Sequence, residues 1–235
     1  MKIALLGYGK MGKIIEKIAV ERGHEIVLKK SGESNFEGLE NADVAIEFSI
    51  PSAAVNNISE SLNKRIPIVS GTTGWLEHYH EIENLCLKNN TGFIYASNFS
   101  LGVNIFFELN DYLGKIMSKF NQYNVSMQEI HHTQKLDAPS GTAISIANAI
   151  INNSKYESWT LENPKLNEIV IDAQRIENVP GTHSVFYNSE VDSIEIKHIA
   201  YNREGFALGA ILAAEWILNK KGVFTMRDVL QLDQN

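Results

Sequence analysis

Cysteine is almost missing from this chain. Cys86 is the single one in 235 residues, so no internal disulfide can form and a cysteine-based metal cluster is not expected. It falls within the helical pattern of residues 75–89 and reads as a small buried apolar residue rather than a catalytic thiol. Long basic runs are also lacking, and the formal net charge is -7. Nucleic acid is therefore not expected as a partner, although a local cationic pocket for a small anion fits within an acidic protein. No apolar stretch is long enough to span a membrane, and the run from Ile3 to Leu6 is too short for a signal peptide, which makes the cytoplasm the expected compartment. Repeats and low-complexity segments are not seen.

What is present is an ordinary globular composition, 44% hydrophobic and 21% charged, on a chain long enough for one or two domains. Through the first hundred residues strand and helix patterns alternate. Strands are expected at 2–6, 25–29, 44–49, 66–69 and 92–97, and helices at 11–22, 52–64 and 75–89. Such alternation implies a mostly parallel sheet covered by helices. The stretch 31–41 is polar and lacks a helical period, so a loop or single turn is expected there. Beyond residue 100 the pattern changes. Helices are expected at 103–120 and 142–151, and strands at 123–131, 168–174, 182–187 and 193–200. Successive strands suggest a second α+β domain with a mainly antiparallel sheet. A further helix at 205–219 is expected to pack back on the first domain. The predicted fold is thus α/β: a Rossmann-like N-terminal dinucleotide-binding domain, 1–99 plus 204–235, with a second α+β domain at 100–203.

Gly7, Tyr8, Gly9, Lys10, Met11 and Gly12 form a G-x-G-x-x-G sequence that begins where a strand ends and opens a helix. In that context Gly7 permits a tight turn, Gly9 lets the backbone approach a pyrophosphate, and Gly12 lets the helix pack against the strand. The phosphates would meet the N–H groups of the helix start. The second strand ends at Lys29 and Lys30, where an NAD-preferring domain often carries an acid. Ammonium groups there suit a 2′-phosphate, with Glu33 as an alternative group for the ribose. NADPH is therefore expected to serve at least as well as NADH.

A second segment runs Glu129-Ile130-His131-His132-Thr133-Gln134-Lys135-Leu136-Asp137-Ala138-Pro139-Ser140-Gly141-Thr142-Ala143. It leaves a strand, crosses a polar loop and enters a helix with a hydroxyl available as cap. Two imidazoles, an ammonium and a helix start in this order suit a dianion and proton donation. Neighbouring strand positions face opposite ways, so the two histidines are expected on opposite faces, with a structural role open to one of them. Neither a cysteine nor a His-x-x-x-His spacing accompanies them, and no metal is expected.

Those residues resemble the signature of the dihydrodipicolinate (4-hydroxy-tetrahydrodipicolinate) reductase family. Gly71-Thr72-Thr73-Gly74, Ala96-Ser97-Asn98-Phe99-Ser100, Gly102-Val103-Asn104 and the run through Arg203, Phe206-Ala207 and Gly209-Ala210 are also similar to family motifs. The likeness spans almost the whole chain, in order. It implies NAD(P)H-dependent reduction of a small dicarboxylate in lysine and diaminopimelate biosynthesis, by a homotetramer built through the second domain's sheets. It implies catalytic roles for His131 and Lys135, and substrate binding by His132, Ser140, Gly141 and Thr142. Cofactor contacts are implied for the glycine loop, Phe48, Gly71, Thr72, Thr73, Ala96, Ser97, Asn98 and Phe99. The chain departs from the family in a trimmed segment after the second strand and in the lysines that replace an acid found in some members. Another two-domain amino-acid dehydrogenase would explain the glycine loop but not the His–Lys segment. A non-catalytic NAD(P) sensor would not need a proton donor there.

Overall fold

Strand β1 (Lys2–Leu6) shows how the sequence builds the first layer. Four of its five residues are buried, and they alternate between two cores. Ile3 and Leu5 face one cluster, Ala4 and Leu6 the other. A strand buried on both faces belongs inside a helix-covered parallel sheet. The computed structural model describes residues 1–32 and 35–232, so Glu33 lies outside the described residues. One compact unit comprises Met1–Leu101 with Arg203–Asn235, and the other Gly102–Asn202.

In the first unit β1 is followed by α1 (Lys10–Glu21), β2 (Glu25–Lys30), β3 (Val44–Glu47), α2 (Pro51–Asn63), β4 (Ile68–Ser70), α3 (Tyr79–Asn89) and β5 (Gly92–Tyr95). Among the described residues the segment before β3 holds one 3-10 turn, Leu39–Asn41, and the predicted helix at 75–89 opens with another, Leu76–His78. With the late strand β11 (Gly222–Phe224) at one edge, the sheet order is β11-β5-β4-β3-β1-β2, every pair parallel. Helix α6 (Glu204–Ile217) joins α1 on one face through Ile15, Ala19, Ala210 and Ala214, while Ile58, Leu62, Trp75 and Ile82 cover the other. Cys86 is fully buried, and burial pushes its thiol up to about 11, which fits an unreactive core residue.

The second unit contains most of α4 (Leu101–Met117), then β6 (Asn124–His131), α5 (Gly141–Asn153), β7 (Ser158–Thr160), β8 (Glu168–Arg175), β9 (Gly181–Asn188) and β10 (Ser193–Ala200). Its order is β10-β9-β6-β8-β7. The sheet is mixed: β9 runs antiparallel to β6 and β10, whereas β8 is parallel to β6 and β7. The crossover through α5 returns the chain parallel to β6, which a count of strands alone does not reveal. Helix α5 buries Ala143, Ile146, Ala147 and Ile150 against Met127, Ile171 and Val185. Strands β7 and β11 (Gly222–Phe224) and the short helix α7 (Met226–Val229) were not expected, because three or four residues are too few to show a period.

Candidate active site

The glycine loop lies where β1 meets α1. Gly7 has φ +112°, and a Cβ there would meet the Phe48 carbonyl oxygen at 2.1 Å. A Cβ on Gly12 would meet the Gly7 carbonyl oxygen at 2.4 Å. Neither position accepts a side chain without moving backbone. Gly9 is different: a Cβ built on it would have no neighbour within 4 Å, so its backbone borders open space. Among the described residues, no side chain caps α1 at Gly9. The loop opens on a cavity of about 360 Å³ lined by Gly9, Lys10, Met11, Phe48, Ser49, Pro51, Gly71, Thr72 and Thr73. It sits at the carboxyl ends of parallel strands, beside an uncapped helix start, which fits a dinucleotide's phosphates. After β5, the Ala96 N–H donates to Ser70 O at 3.2 Å. Phe99 is buried with its ring 5.7 Å from that of Phe48, while Ser97 is exposed and Asn98 half-buried.

The two lysines are occupied within the protein. Lys29 pairs with Glu16, whose carboxylate also accepts from the Tyr8 hydroxyl. Lys30 is buried, donates to Gly32 O at 3.0 Å and lies 4.9 Å from the Phe36 ring centroid. Its own carbonyl accepts from both Gly7 N and Tyr8 N at 3.0 Å, so its backbone holds the glycine loop.

Glu47 stands behind the cavity wall and is fully buried. Its Oε1 accepts from Ser49 N at 3.0 Å and Thr72 Oγ1 at 2.8 Å, its Oε2 from Ser70 Oγ at 2.7 Å, and the Ser49 hydroxyl also donates to it. One carboxylate thus gathers the loops after β3 and β4. Glu47→Leu leaves these donors without an acceptor and is expected to lower stability by roughly 3 kcal/mol. Urea unfolding measures this; a change below about 1 kcal/mol would show that the donors find other partners.

In the second unit β6 ends on the same-facing pair Glu129 and His131. Glu129 is fully buried. Its Oε1 accepts from Arg175 Nη2 and its Oε2 from Ser140 N, both at 3.0 Å. Burial pushes its carboxyl up, but the Ser140 and Arg175 hydrogen bonds outweigh this and hold it below the ordinary range. Arg175, paired in register with His131, also donates to Lys135 O at 3.2 Å and Asp137 O at 2.5 Å, pinning the loop. That loop folds back through Lys135 N–H to His132 O at 3.1 Å, and Lys135 Nζ bonds both Asp137 carboxylate oxygens at 2.8 Å. Ser140 caps α5, its Oγ accepting from Ala143 N at 3.1 Å, with Gly141 exposed beside it.

His131 is buried, its Nδ1 3.3 Å from Pro180 O and its Nε2 3.3 Å from His183 Nε2. Burial lowers its pKa, and the Lys135 and Arg175 charges act the same way against the pull of Glu129. Glu129, His131 and His183 offer ligand-type atoms within 4.8 Å of one another. With Arg175 on one Glu129 oxygen and Ser140 N on the other, the trio reads as a hydrogen-bonded network rather than a cation site.

Residues 1–99 match the family description "Dihydrodipicolinate reductase, N-terminus", and residues 102–230 match "Dihydrodipicolinate reductase, C-terminus". The chain belongs to the dihydrodipicolinate reductase family. It is 53% identical over 233 residues to the 4-hydroxy-tetrahydrodipicolinate reductase of Christiangramia forsetii, covering 98% of each chain. Identity to the enzyme of the same name from Thermosipho africanus is 36%, again covering 98% of each. Among solved structures, a dipicolinate-bound dihydrodipicolinate reductase from Paenisporosarcina sp. TG-14 shares the fold, with a TM-score of 0.77 at 22% identity over 96% of this chain and 97% of that one.

In this dihydrodipicolinate reductase homologue, the glycine loop, Phe48, Gly71, Thr72 and Thr73 come together around one cavity, and His131, Lys135 and Ser140 around one loop. Lys29 and Lys30 do not line that cavity. Sequence reasoning missed Glu47, Arg175 and His183, and gave Glu129 no role. His183 did carry a signal: it shares the inward face of β9 with Val185 and Tyr187, both buried in an apolar cluster. A histidine at such a position needs a polar partner.

Proposed function

We propose that this chain reduces 4-hydroxy-tetrahydrodipicolinate to tetrahydrodipicolinate with NADPH or NADH, a step of lysine and diaminopimelate biosynthesis. The observation that carries this reading is the ordered loop from His131 to the start of α5, pinned by Arg175 and Glu129, in a chain whose other unit holds an open glycine-loop cavity. Residues 1–99 plus 204–235 form the dinucleotide-binding part, and 100–203 the substrate-binding and oligomerisation part. Gly7, Tyr8, Gly9, Lys10, Met11 and Gly12 hold the pyrophosphate; Phe48, Gly71, Thr72, Thr73, Ala96, Ser97, Asn98 and Phe99 surround the rest of the cofactor. The 4-hydroxyl group leaves as water to give the conjugated dihydro ring, and reduced nicotinamide then supplies the hydride to that ring. The substrate's carboxylates are neutralised by Lys135, His132 and the α5 start at Ser140, Gly141 and Thr142. Charge that develops in the conjugated ring is quenched by a proton from Lys135, with the His131 imidazole held alongside.

Loss of reduced-nicotinamide absorbance with freshly generated substrate tests the activity. Tight NADPH binding without turnover would leave a sensor instead. β2 ends in Lys29 and Lys30 with no carboxylate among its last three residues, which supports NADPH being used at least as well as NADH. A strong NADH preference in kcat/KM would remove that part. His131→Gln is expected to lower kcat about 10²-fold with a smaller change in KM, and near-normal turnover would end its catalytic assignment. The assembly is a homotetramer, to be checked by light scattering of the eluting species.

A further inference from the structure

A carbonyl oxygen only accepts, so the contact from His131 Nδ1 to Pro180 O at 3.3 Å requires the proton on Nδ1. In the neutral ring Nε2 is then an acceptor, and it faces His183 Nε2 at 3.3 Å. Two bare nitrogens cannot share that contact, so His183 carries its proton on Nε2. The same nitrogen lies 3.2 Å from Ser140 Oγ, the atom that caps α5 through Ala143 N. This tautomer leaves His183 Nδ1 as a bare lone pair, and that atom is indeed buried without a hydrogen-bond partner among the described residues; an orphaned N–H there would be costlier. The two rings meet edge to face, 5.1 Å apart at 68°. His183 is 5% exposed. Burial, then the neighbouring His131, drives its pKa to about 3, and the charges of His198 and Lys135 add to this against Glu129. It therefore stays neutral and keeps its donor across the physiological range.

We propose that His183 is a positioning residue for the reduction: its Nε2–H fixes the His131 ring in the Nδ1–H tautomer and ties that ring to the Ser140 cap of α5. The proposal rests on the reductase reading, because only that reading makes His131 and the α5 start parts of one substrate site. One neutral imidazole then aligns both the ring beside the reacting carbon and the helix tip that grips a carboxylate. Misplacement of such groups by about 1 Å reduces turnover by about 10²-fold.

The test compares the wild-type enzyme with His183→Leu, which keeps bulk but no donor, and His183→Gln, which returns an N–H near the Nε2 position. The Leu variant is expected to lose about 10²-fold in kcat, with KM for NADPH unchanged, and the Gln variant to recover most of it. In the wild type, ¹⁵N resonances of the His131 ring are expected to report the Nδ1–H tautomer, and in the Leu variant a mixture. A Leu variant with normal kcat, a Gln variant as poor as the Leu variant, or an Nε2–H ring in the wild type would each overturn the proposal. So would stoichiometric Zn²⁺ binding lost in His183→Gln, since it would make the trio a metal site. If the Leu variant does not fold, the wild-type resonances and the Gln variant still decide. A wild type without reductase turnover removes the functional reading instead, and the ring resonances then test the His183 contact by itself.

Discussion

Lys135→Ala is expected to lose about 10³-fold in kcat/KM, with the loss divided between a higher KM for the dicarboxylate and a lower kcat. A hydrogen bond to a charged group is worth about 1.5–3 kcal/mol, and a positioned general acid contributes about 10²- to 10⁴-fold. The two effects fall on different constants because one acts in the ground state and the other in the transition state. The loop itself should survive. Its backbone is held by Lys135 N to His132 O and by Arg175 donating to Lys135 O and Asp137 O, and none of these bonds uses the lysine side chain. Unchanged circular dichroism and an unchanged KM for NADPH should accompany the loss. Lys135→Arg restores the charge with a different donor geometry. It should bring KM back toward wild type and leave kcat low. Asp137, whose carboxyl is held low first by its bond from Lys135, should regain a more ordinary carboxylate pKa in the Ala variant. Near-normal turnover of Lys135→Ala would show that the proton comes from elsewhere.

Much of this site was legible because its chemistry lies in one contiguous stretch. His131, Lys135, Ser140 and Gly141 sit within a strand end, a loop and a helix start, each with its own local signature. The glycine loop was legible for the same reason: strand, glycines and helix follow in order. What could not be read was the support brought in from other strands. Arg175 reaches Glu129 because β8 lies parallel to β6, and His183 reaches His131 because β9 lies antiparallel on the other side. Those contacts span 46 and 52 residues of sequence, and no local period encodes them. Lys29 and Lys30 show the same limit in the other unit. Their position at the end of β2 was read correctly, but their partners, Glu16 and the Gly32 carbonyl, belong to α1 and the following loop. Glu47 was hidden by its flanks, since Val44-Ala45-Ile46-Glu47 reads as a buried strand ending in a surface acid. In the fold it is the centre of a hydroxyl cluster.

The same buried histidines predict when the protein becomes acid-labile. His183 has an ordinary value of 6.5, lowered to about 3 by burial. Between those values the unfolded chain binds a proton that the native state refuses. Stability should therefore fall as pH drops below about 6.5 and be unaffected by this group above it. Over the whole interval the drop corresponds to roughly 5 kcal/mol. His131 and His198 are lowered as well, each chiefly by burial, so they act in the same window with the same sign. The carboxyls of Glu129, Asp137 and Glu215 are held low. Their contribution is present above their ordinary values, 4.5 for the two glutamates and 3.8 for Asp137, and is lost as pH falls further, which steepens the decline at its acid end. Urea midpoints measured from pH 8 to 4 at fixed ionic strength should bend first near pH 6.5. His183→Gln should flatten the part between about 6.5 and 5, because it removes the titrating group while keeping an N–H donor. If the wild type showed no slope until the carboxylate range, His183 would be accepting its proton inside the fold. The neutral contact between the two imidazoles would then be the wrong description of the site.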